Sequence, residues 1–540
     1  MLAKELALED SRHWLDTEQM DFAFELEEPL PLDNLDKNIL CDDALFCKWP
    51  KVNAFIGNPP FQSKNKAQEE LGAAYMNRVR KQYPEVPGHA DYCVYWFRRA
   101  HNELAPGGNA GLVGTKTIRE TNSRKGGLQY IVTTGGTITE AVSRQVWSGE
   151  AAVDVSIVNW TKGEKKGKKR LYLQHGDRRD SPWEVREMDR IHAGLSFEID
   201  VGDAIDLTVN EKPKTFFQGI TPGHDGFLLS ADRAKILVGD EKKNQEVLFP
   251  YLIGDDILGQ LRPRPKRYVI DFQPRDLIQA STYPHLFKIV QTQVLEKRKA
   301  AVGKEEKRNV EVEEDDPEGR TNKHHKNFLK KWWQISYPRT DLFEALSKLS
   351  RFIVCVRTTK RPIFEFIHPA IKPGDSLQVF AFEDDYSFGI LQSPIHWKWF
   401  TERCSKLSAR FRYTSETVYS TFPWPQSPAL KLVQRVSRAA VELRQVRQKA
   451  MDNNKITFRA MYKTMELPGD NVLKDAHAAL DEAVRECYGM KAKDDPLKFL
   501  LDLNEGMAAK EQRGEDVVGP GLPSVVTDRK PFITNDCITV

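Results

Sequence analysis

The stretch Val52-Asn53-Ala54-Phe55-Ile56-Gly57-Asn58-Pro59-Pro60-Phe61 limits what this chain can fold into more than any other part of it. A short apolar run leads straight into a rigid polar turn that ends in an aromatic ring. That is the layout of a ligand-binding loop at the carboxyl end of a parallel strand. Its residues suit one chemical task. An exocyclic amine on a base is a poor nucleophile because its lone pair is delocalised into the ring, and acceptors on both N–H bonds would localise it. The Asn58 side-chain oxygen supplies one acceptor. The Pro59 carbonyl supplies the other, from a residue whose locked φ and missing N–H leave only an acceptor to offer. Phe61 adds a flat face for a base swung out of a duplex.

Asn58-Pro59-Pro60-Phe61 resembles the (D/N/S)PP(Y/F) motif of amino-methyltransferases, where it holds the target amine, and these four residues are the expected catalytic set. The same tetrapeptide also serves enzymes that methylate RNA or a glutamine side chain. Before it, Asn38 to Phe46 reads as a buried strand ending in acid, with Asp43 the candidate for accepting from an adenine amine of the cofactor and Asp42 solvated. After it, Gln62 to Gln82 is a polar excursion whose Lys64 and Lys66 lie close to the pocket and would touch phosphate, although a solvated loop explains the charges as well. A helix then opens at Ala90 with Asp91 near its N-cap. Asp43, Asp91 and Asn58 are the expected cofactor contacts. Pro106-Gly107-Gly108 stops the helix, and strands follow at 110–115, 136–142 and 151–160. The last is expected to turn back through the basic tip Lys162 to Arg170 as a hairpin with Leu171-Tyr172-Leu173.

Composition limits the rest. At 540 residues the chain has room for about three domains. A net charge of +3 is too small to identify a nucleic-acid binder, so the placement of charge matters more than its sum. The seven cysteines lack CxxC or Cys/His spacing, which argues for reduced thiols and against a metal site. Residues 1–30 carry a helical pattern (Leu2, Leu6, Leu8, Trp14-Leu15) with no apolar run of signal or membrane-spanning type, so a cytoplasmic location is expected.

Gly57 to Phe61, Ala90-Asp91-Tyr92 with Tyr95-Trp96-Phe97, and Ala151-Ala152-Val153 with Val155 to Val158 are similar to the methyltransferase core of MmeI-like restriction-modification enzymes. The similarity runs on through Gly226 to Ser230, Arg267 to Phe272, Ser393 to Trp397 and Thr421 to Pro425, covering roughly residues 35 to 490. It implies an α/β fold: a partial Rossmann-like class I methyltransferase sheet in residues 1–210, a mixed α+β target-recognition domain in 211–425, a helical domain in 426–515 and a flexible tail in 516–540. The recognition segment interleaves strand-like runs, 352–356 and 377–382, with cationic and aromatic clusters. Arg262, Arg264, Lys266, Arg357, Lys360 and Arg361 are therefore the expected DNA contacts, with Lys64 and Lys66. Lys297 to Lys331, charged in both signs, reads as an exposed insertion. His324, His325 and His396 lack ligand partners at useful spacing.

A methyltransferase of this kind also needs a glycine-rich turn between strand and helix, so that backbone can approach S-adenosylmethionine. Pro106-Gly107-Gly108 has the order reversed; Gly135-Gly136, Gly223 to Gly226 and Gly519-Pro520-Gly521 lack the context. The chain is thus expected to start inside the fold, without the family's nuclease segment. The missing strands, placed between the Leu40 and Phe55 strands, would come from a complementing amino-terminal chain or be lost to a truncated reading frame. The resulting expectation is a DNA adenine-N6 methyltransferase of a restriction-modification or phage-defence system, acting on double-stranded DNA. Its rivals are a non-catalytic DNA-binding specificity subunit and a methyltransferase of RNA or protein glutamine.

Overall fold

Parallel pairing of Ala54–Gly57 (β1) with Asn109–Thr115 (β2) sets the frame on which the Asn58 to Phe61 turn is mounted. The computed structural model describes residues 39–147, 153–202, 204–315, 321–407 and 410–540, so the helix expected in residues 1–30 lies outside the described residues. The chain divides into two units, Met1–Lys51 and Val52–Val540.

In the first unit the strand expected over Asn38 to Phe46 does not form. Ile39 and Leu40 are exposed, and residues 44–46 make a turn. The cause is local: the Asp43 carboxylate accepts from Leu45 N at 3.0 Å while the Asp43 carbonyl accepts from Phe46 and Cys47 N–H groups. Such an Asx-type turn competes with an extended ladder for the same backbone groups.

The second unit begins with a six-stranded sheet. Gly136–Val146 (β3), Asp154–Lys162 (β4), Lys169–Gln174 (β5) and Trp183–Met188 (β6) join the first two strands in the order β1-β2-β4-β3-β5-β6. β4 runs antiparallel to both β2 and β3, and β5 runs parallel to β3. Consequently β1, β2, β3 and β5 all point the same way, and their carboxyl ends share one edge of the sheet. The hairpin expected between β4 and β5 is absent. β3 lies between them, because β4 spends the hydrogen-bonding groups of both its edges on β2 and β3 and leaves β5 the outer edge of β3.

Alternation along β2 buries Ala110 and Leu112 on the face covered by the helix Val94–Glu103, where Phe97 stacks on Trp160 of β4 at 5.7 Å. That helix starts three residues after Asp91, which does not cap it. The helix ends where Gly107 takes φ +82° and Gly108 comes so close to Leu104 and Ala105 that a Cβ would sit 2.8 Å from the Leu104 side chain. The excursion after Phe61 is two helices, Lys64–Glu70 and Ala73–Gln82.

Beyond it, Phe216–Gln218 (β7), Leu228–Ser230 (β8), Leu248–Leu252 (β9), Arg267–Ile270 (β10), Phe352–Val356 (β11), Thr358–Thr359 (β12), Phe364–Ile367 (β13), Lys372–Pro373 (β14), Leu377–Phe380 (β15), Ser405–Leu407 (β16) and Arg410–Arg412 (β17) form three sheets. Their orders are β14-β9-β10-β8, β13-β11-β15-β7 and β12-β17-β16. β11 and β15 are buried along their whole length and pair with each other, so they form the centre of this region. The helices Leu430–Asn454 and Val472–Tyr488, the latter stopped by Gly489 at φ +70°, pack onto the same hydrophobic cluster, which runs from Val201 to Ile538. The stretch expected as an exposed insertion contains the helices Glu296–Asp315 and His324–Lys330, tied together where Glu305 accepts from the His325 and Lys326 N–H groups.

The tail expected to be mobile is anchored. Ile538 exchanges backbone hydrogen bonds with Phe366 and His368, and Asp536 meets Arg351 and Arg444. Apolar side chains at Phe532 and Ile538 bury into the core, a gain that outweighs the chain entropy a free tail would keep.

Candidate active site and nucleic-acid interface

At the carboxyl end of β1 the chain turns through Asn58 (exposed), Pro59 (buried), Pro60 (exposed) and Phe61 (half-buried). The turn is fastened just downstream, where Tyr92 N donates to Gln62 O at 2.9 Å, and this also brings Asp91 beside it. Asp91 accepts from Thr115 Oγ1 at 2.8 Å and from Thr117 Oγ1, and its N–H donates to Ser123 Oγ at 3.0 Å. It thereby links the turn to the end of β2. Cys93, next in line, is fully buried, which pushes its thiol up to about 11 and leaves it unreactive.

Across the edge, Trp147 follows the end of β3 and meets Phe61 edge to face, with ring centroids 5.7 Å apart and planes at 87°. The two rings form a corner, a flat wall and a perpendicular one, at the end of the turn that Asn58 opens. Sequence reasoning passed over Trp147 because nothing in its local spacing links it to residue 61; only the strand order does.

The same edge carries a cluster of charges. Lys116 Nζ and Arg144 Nε each reach Asp154 Oδ2 at 3.0 Å. Partial burial pushes the Asp154 carboxyl up, but donation from Lys116 and Arg144 outweighs it and holds the group below its ordinary range. Alongside lies a cavity of about 620 Å³ lined by Arg119, Arg124, Arg144, His175 and Arg403. Arg124 is matched by Asp200 at 2.8 Å, and Arg119 donates to Ser143 Oγ at 2.6 Å.

The residues expected to contact cofactor and DNA fall in several places. Asp43 belongs to the first unit, where its carboxylate serves the turn described above. Lys64 and Lys66 open the helix after the Asn58 to Phe61 turn, with Lys64 Nζ 3.0 Å from His89 Nδ1. Arg262, Arg264 and Lys266 lie on the loop before β10, and the two arginines line a cavity of about 850 Å³ with Arg444, Arg447 and Asp536. Arg357 lines a different cavity, together with Lys214 and Arg339. Lys360 is exposed, whereas Arg361 turns inward, over the Tyr462 ring at 5.6 Å and beside Met465. His396 is fully buried between Leu391 O (2.7 Å) and the Tyr413 hydroxyl (2.8 Å), and burial pulls its pKa to about 4. Among the described residues no helix is long and apolar enough to cross a membrane.

Residues 3–173 match a family model described as the DNA-methyltransferase domain of MmeI, and residues 351–426 match one described as the MmeI target recognition domain. The chain is MmeI-like. Its fold agrees: the MmeI-like chain superposes on the Type IIL restriction-modification enzyme MmeI, solved in complex with DNA, with a TM-score of 0.65 at 18% identity, over 84% of this chain and 57% of that one. It is also 27% identical over 128 residues to DNA methyltransferase A of Bacillus subtilis (strain 168), a match spanning 23% of this chain and 14% of that protein. The MmeI-like chain thus spans little more than half of the solved relative and a small part of the sequence relative. Its MmeI-type methyltransferase match includes the six-stranded sheet up to Leu173 in β5, and the target-recognition match includes β11 to β17 and the buried Thr421 to Pro425 segment.

Proposed function

We propose that this chain holds the target amine and reads the DNA in an S-adenosylmethionine-dependent DNA adenine-N6 methyltransferase of a prokaryotic restriction-modification or phage-defence system. The observation that carries the reading is the placement of Asn58-Pro59-Pro60-Phe61 at the carboxyl end of a parallel strand, with the Trp147 ring set against Phe61. In this reading the flipped adenine lies on Phe61 with its edge toward Trp147. The exposed Asn58 oxygen and the Pro59 carbonyl accept from the two amine hydrogens, which localises the lone pair. Protein groups that organise charge only as the transition state forms raise the rate, not the affinity. The match of residues 351–426 to a target recognition domain favours DNA over RNA or a protein glutamine as substrate.

S-adenosylmethionine would supply the electrophilic methyl group. The described residues do not make a full cradle for it: none of their strands runs through a glycine-rich turn into a helix, and the Asp91 carboxylate is already engaged by Thr115 and Thr117. The second part of the proposal concerns that missing turn. A complementing amino-terminal chain would bring it to the carboxyl end of β1, the end strand among those described, whose Ile56 side chain is 95% exposed.

The test is reconstitution with such a complement. Asn58→Ala is expected to lower adenine methylation by about 10²-fold or more while DNA affinity stays unchanged; near-full activity would remove the turn from the mechanism. The purified chain alone is expected to transfer no methyl group from labelled S-adenosylmethionine. Robust transfer by it would overturn the complement, and failure of every complement to restore transfer would favour a DNA-binding subunit without catalysis.

A further inference from the structure

One cleft in the recognition half gathers three cationic side chains, two of them with a guanidinium nitrogen that has no hydrogen-bond partner among the described residues. A cavity of about 380 Å³ is lined by Lys214, Phe216, Arg339, Arg357, Gln378 and Tyr413, at the junction of β7, β11 and β15. Arg339 Nε and Arg357 Nε are both shut off from solvent, and neither has a hydrogen-bond partner among the described residues. Buried donors are nearly always satisfied, so two orphaned guanidinium nitrogens in one cleft call for an acceptor from outside the chain. The acid on the rim is committed, because Asp341 already binds Lys214 at 2.6 Å.

Two further observations point the same way. Arg357 is partly buried, and that burial, with the charges of Arg412 and Arg339 beside it and Asp375 opposing, makes its protonated form costlier than in water. Its backbone is nevertheless held firmly: Arg357 N donates to Ser376 O at 2.8 Å, and Arg357 O accepts from Tyr413 N at 2.9 Å. Arg339 takes a left-handed backbone conformation, φ +54° and ψ +54°, which a side-chain-bearing residue adopts at a cost of order 1 kcal/mol or more. Clustered cations and local strain persist where the arrangement serves a ligand. The stacked rings of Phe216 and Tyr413, 5.6 Å apart, give the cleft an apolar wall that strengthens any ion pair formed in it.

We propose that this cleft binds one phosphodiester of the DNA backbone, gripped from two sides by the forked guanidinium groups of Arg339 and Arg357. Convergent guanidinium groups match phosphate geometry. A base edge would need neutral donors and acceptors in a plane rather than a pocket of positive charge. The site rests on the assignment of this half as the DNA-reading part.

The experiment measures binding of the full chain to a labelled duplex of mixed sequence across a salt series, and repeats it with a methylatable duplex. Arg339→Ala and Arg357→Ala should each lower the slope of log K against log salt by about one. The double variant should lose no more than either single variant, because both residues serve one phosphate. Both duplexes should weaken equally, and Arg339→Lys and Arg357→Lys should recover most of the slope, a recovery that a mere folding defect would not show. Tight binding by the unaltered chain with unchanged slopes in the variants would overturn this site and leave the DNA-reading assignment intact. A loss of discrimination between duplexes at constant slope would make the pair base readers and overturn the phosphate. A double variant losing about two in slope would place the arginines on separate phosphates. An unaltered chain that binds neither duplex would remove the assignment and the site together.

Discussion

Replacing Asp385 with alanine asks what holds the recognition and carboxyl-terminal segments together. Arg351 Nη2 at 2.7 Å, Arg444 Nη2 at 2.5 Å and Thr534 Oγ1 at 3.1 Å all donate to Asp385 Oδ1. The side chains of Asp385, Arg351 and Arg444 are 1%, 2% and 6% exposed, so both ion pairs are screened little by water. Alanine would leave two buried guanidinium groups with Asp536 as their remaining ion-pair partner, and that side chain is 51% exposed. Removing one partner of a buried pair costs about 3–5 kcal/mol. Because Asp536 retains part of the compensation, a loss of about 3 kcal/mol is expected, a large share of the roughly 5–15 kcal/mol that a domain has. Asp536→Ala, at the half-exposed end of the same network, should cost only about 1 kcal/mol. Urea unfolding followed by fluorescence of Trp399 and Trp424, both inside this core, measures the two losses. If Asp385→Ala cost no more than Asp536→Ala, the argument from burial would be wrong.

Trp147→Ala should remove an edge-to-face contact worth about 0.5–1.5 kcal/mol and lower kcat/KM of the reconstituted methyltransferase by roughly two- to tenfold, with Trp147→Phe recovering part of it. An unchanged kcat/KM would take Trp147 out of the base pocket. Acid should loosen the carboxyl-terminal segment: burial pushes the Asp536 carboxyl up, but Arg444 and its neighbours outweigh this and bring it down to about 2. Its folded-state pKa therefore lies below its unfolded value, so its contribution is present above the ordinary carboxylate range and is lost as the pH falls toward 2. Asp536→Asn should flatten this acid limb of a stability profile, and an identical limb in both proteins would refute the linkage. Exchanging residues 211–425 for those of a relative should transfer sequence specificity, and a hybrid that kept the original methylation site would place the reading elsewhere.

The elements legible in the sequence were those whose signals are local. The apolar run before Asn58, the Pro106-Gly107-Gly108 stop, the buried runs at Phe352 to Val356 and Leu377 to Phe380, and the helices of residues 426–515 all formed. Each depends on periodicity or on a backbone restriction carried by its own residues. The tertiary structure decided whatever depended on a distant partner. The Asn38 to Phe46 run has strand composition, yet the Asp43 side chain and carbonyl turned it. β4 and β5 look like a hairpin in sequence, but β3 pairs between them, and a strand's neighbour is set by which edges remain open when the sheet closes. The Phe61–Trp147 corner, the Arg339–Arg357 cleft and the anchoring of Asp536 and Ile538 follow the same rule. They join residues far apart in the chain, and the energies that favour them, burial, ion pairing and ring contact, exist only once the strands have brought those residues together.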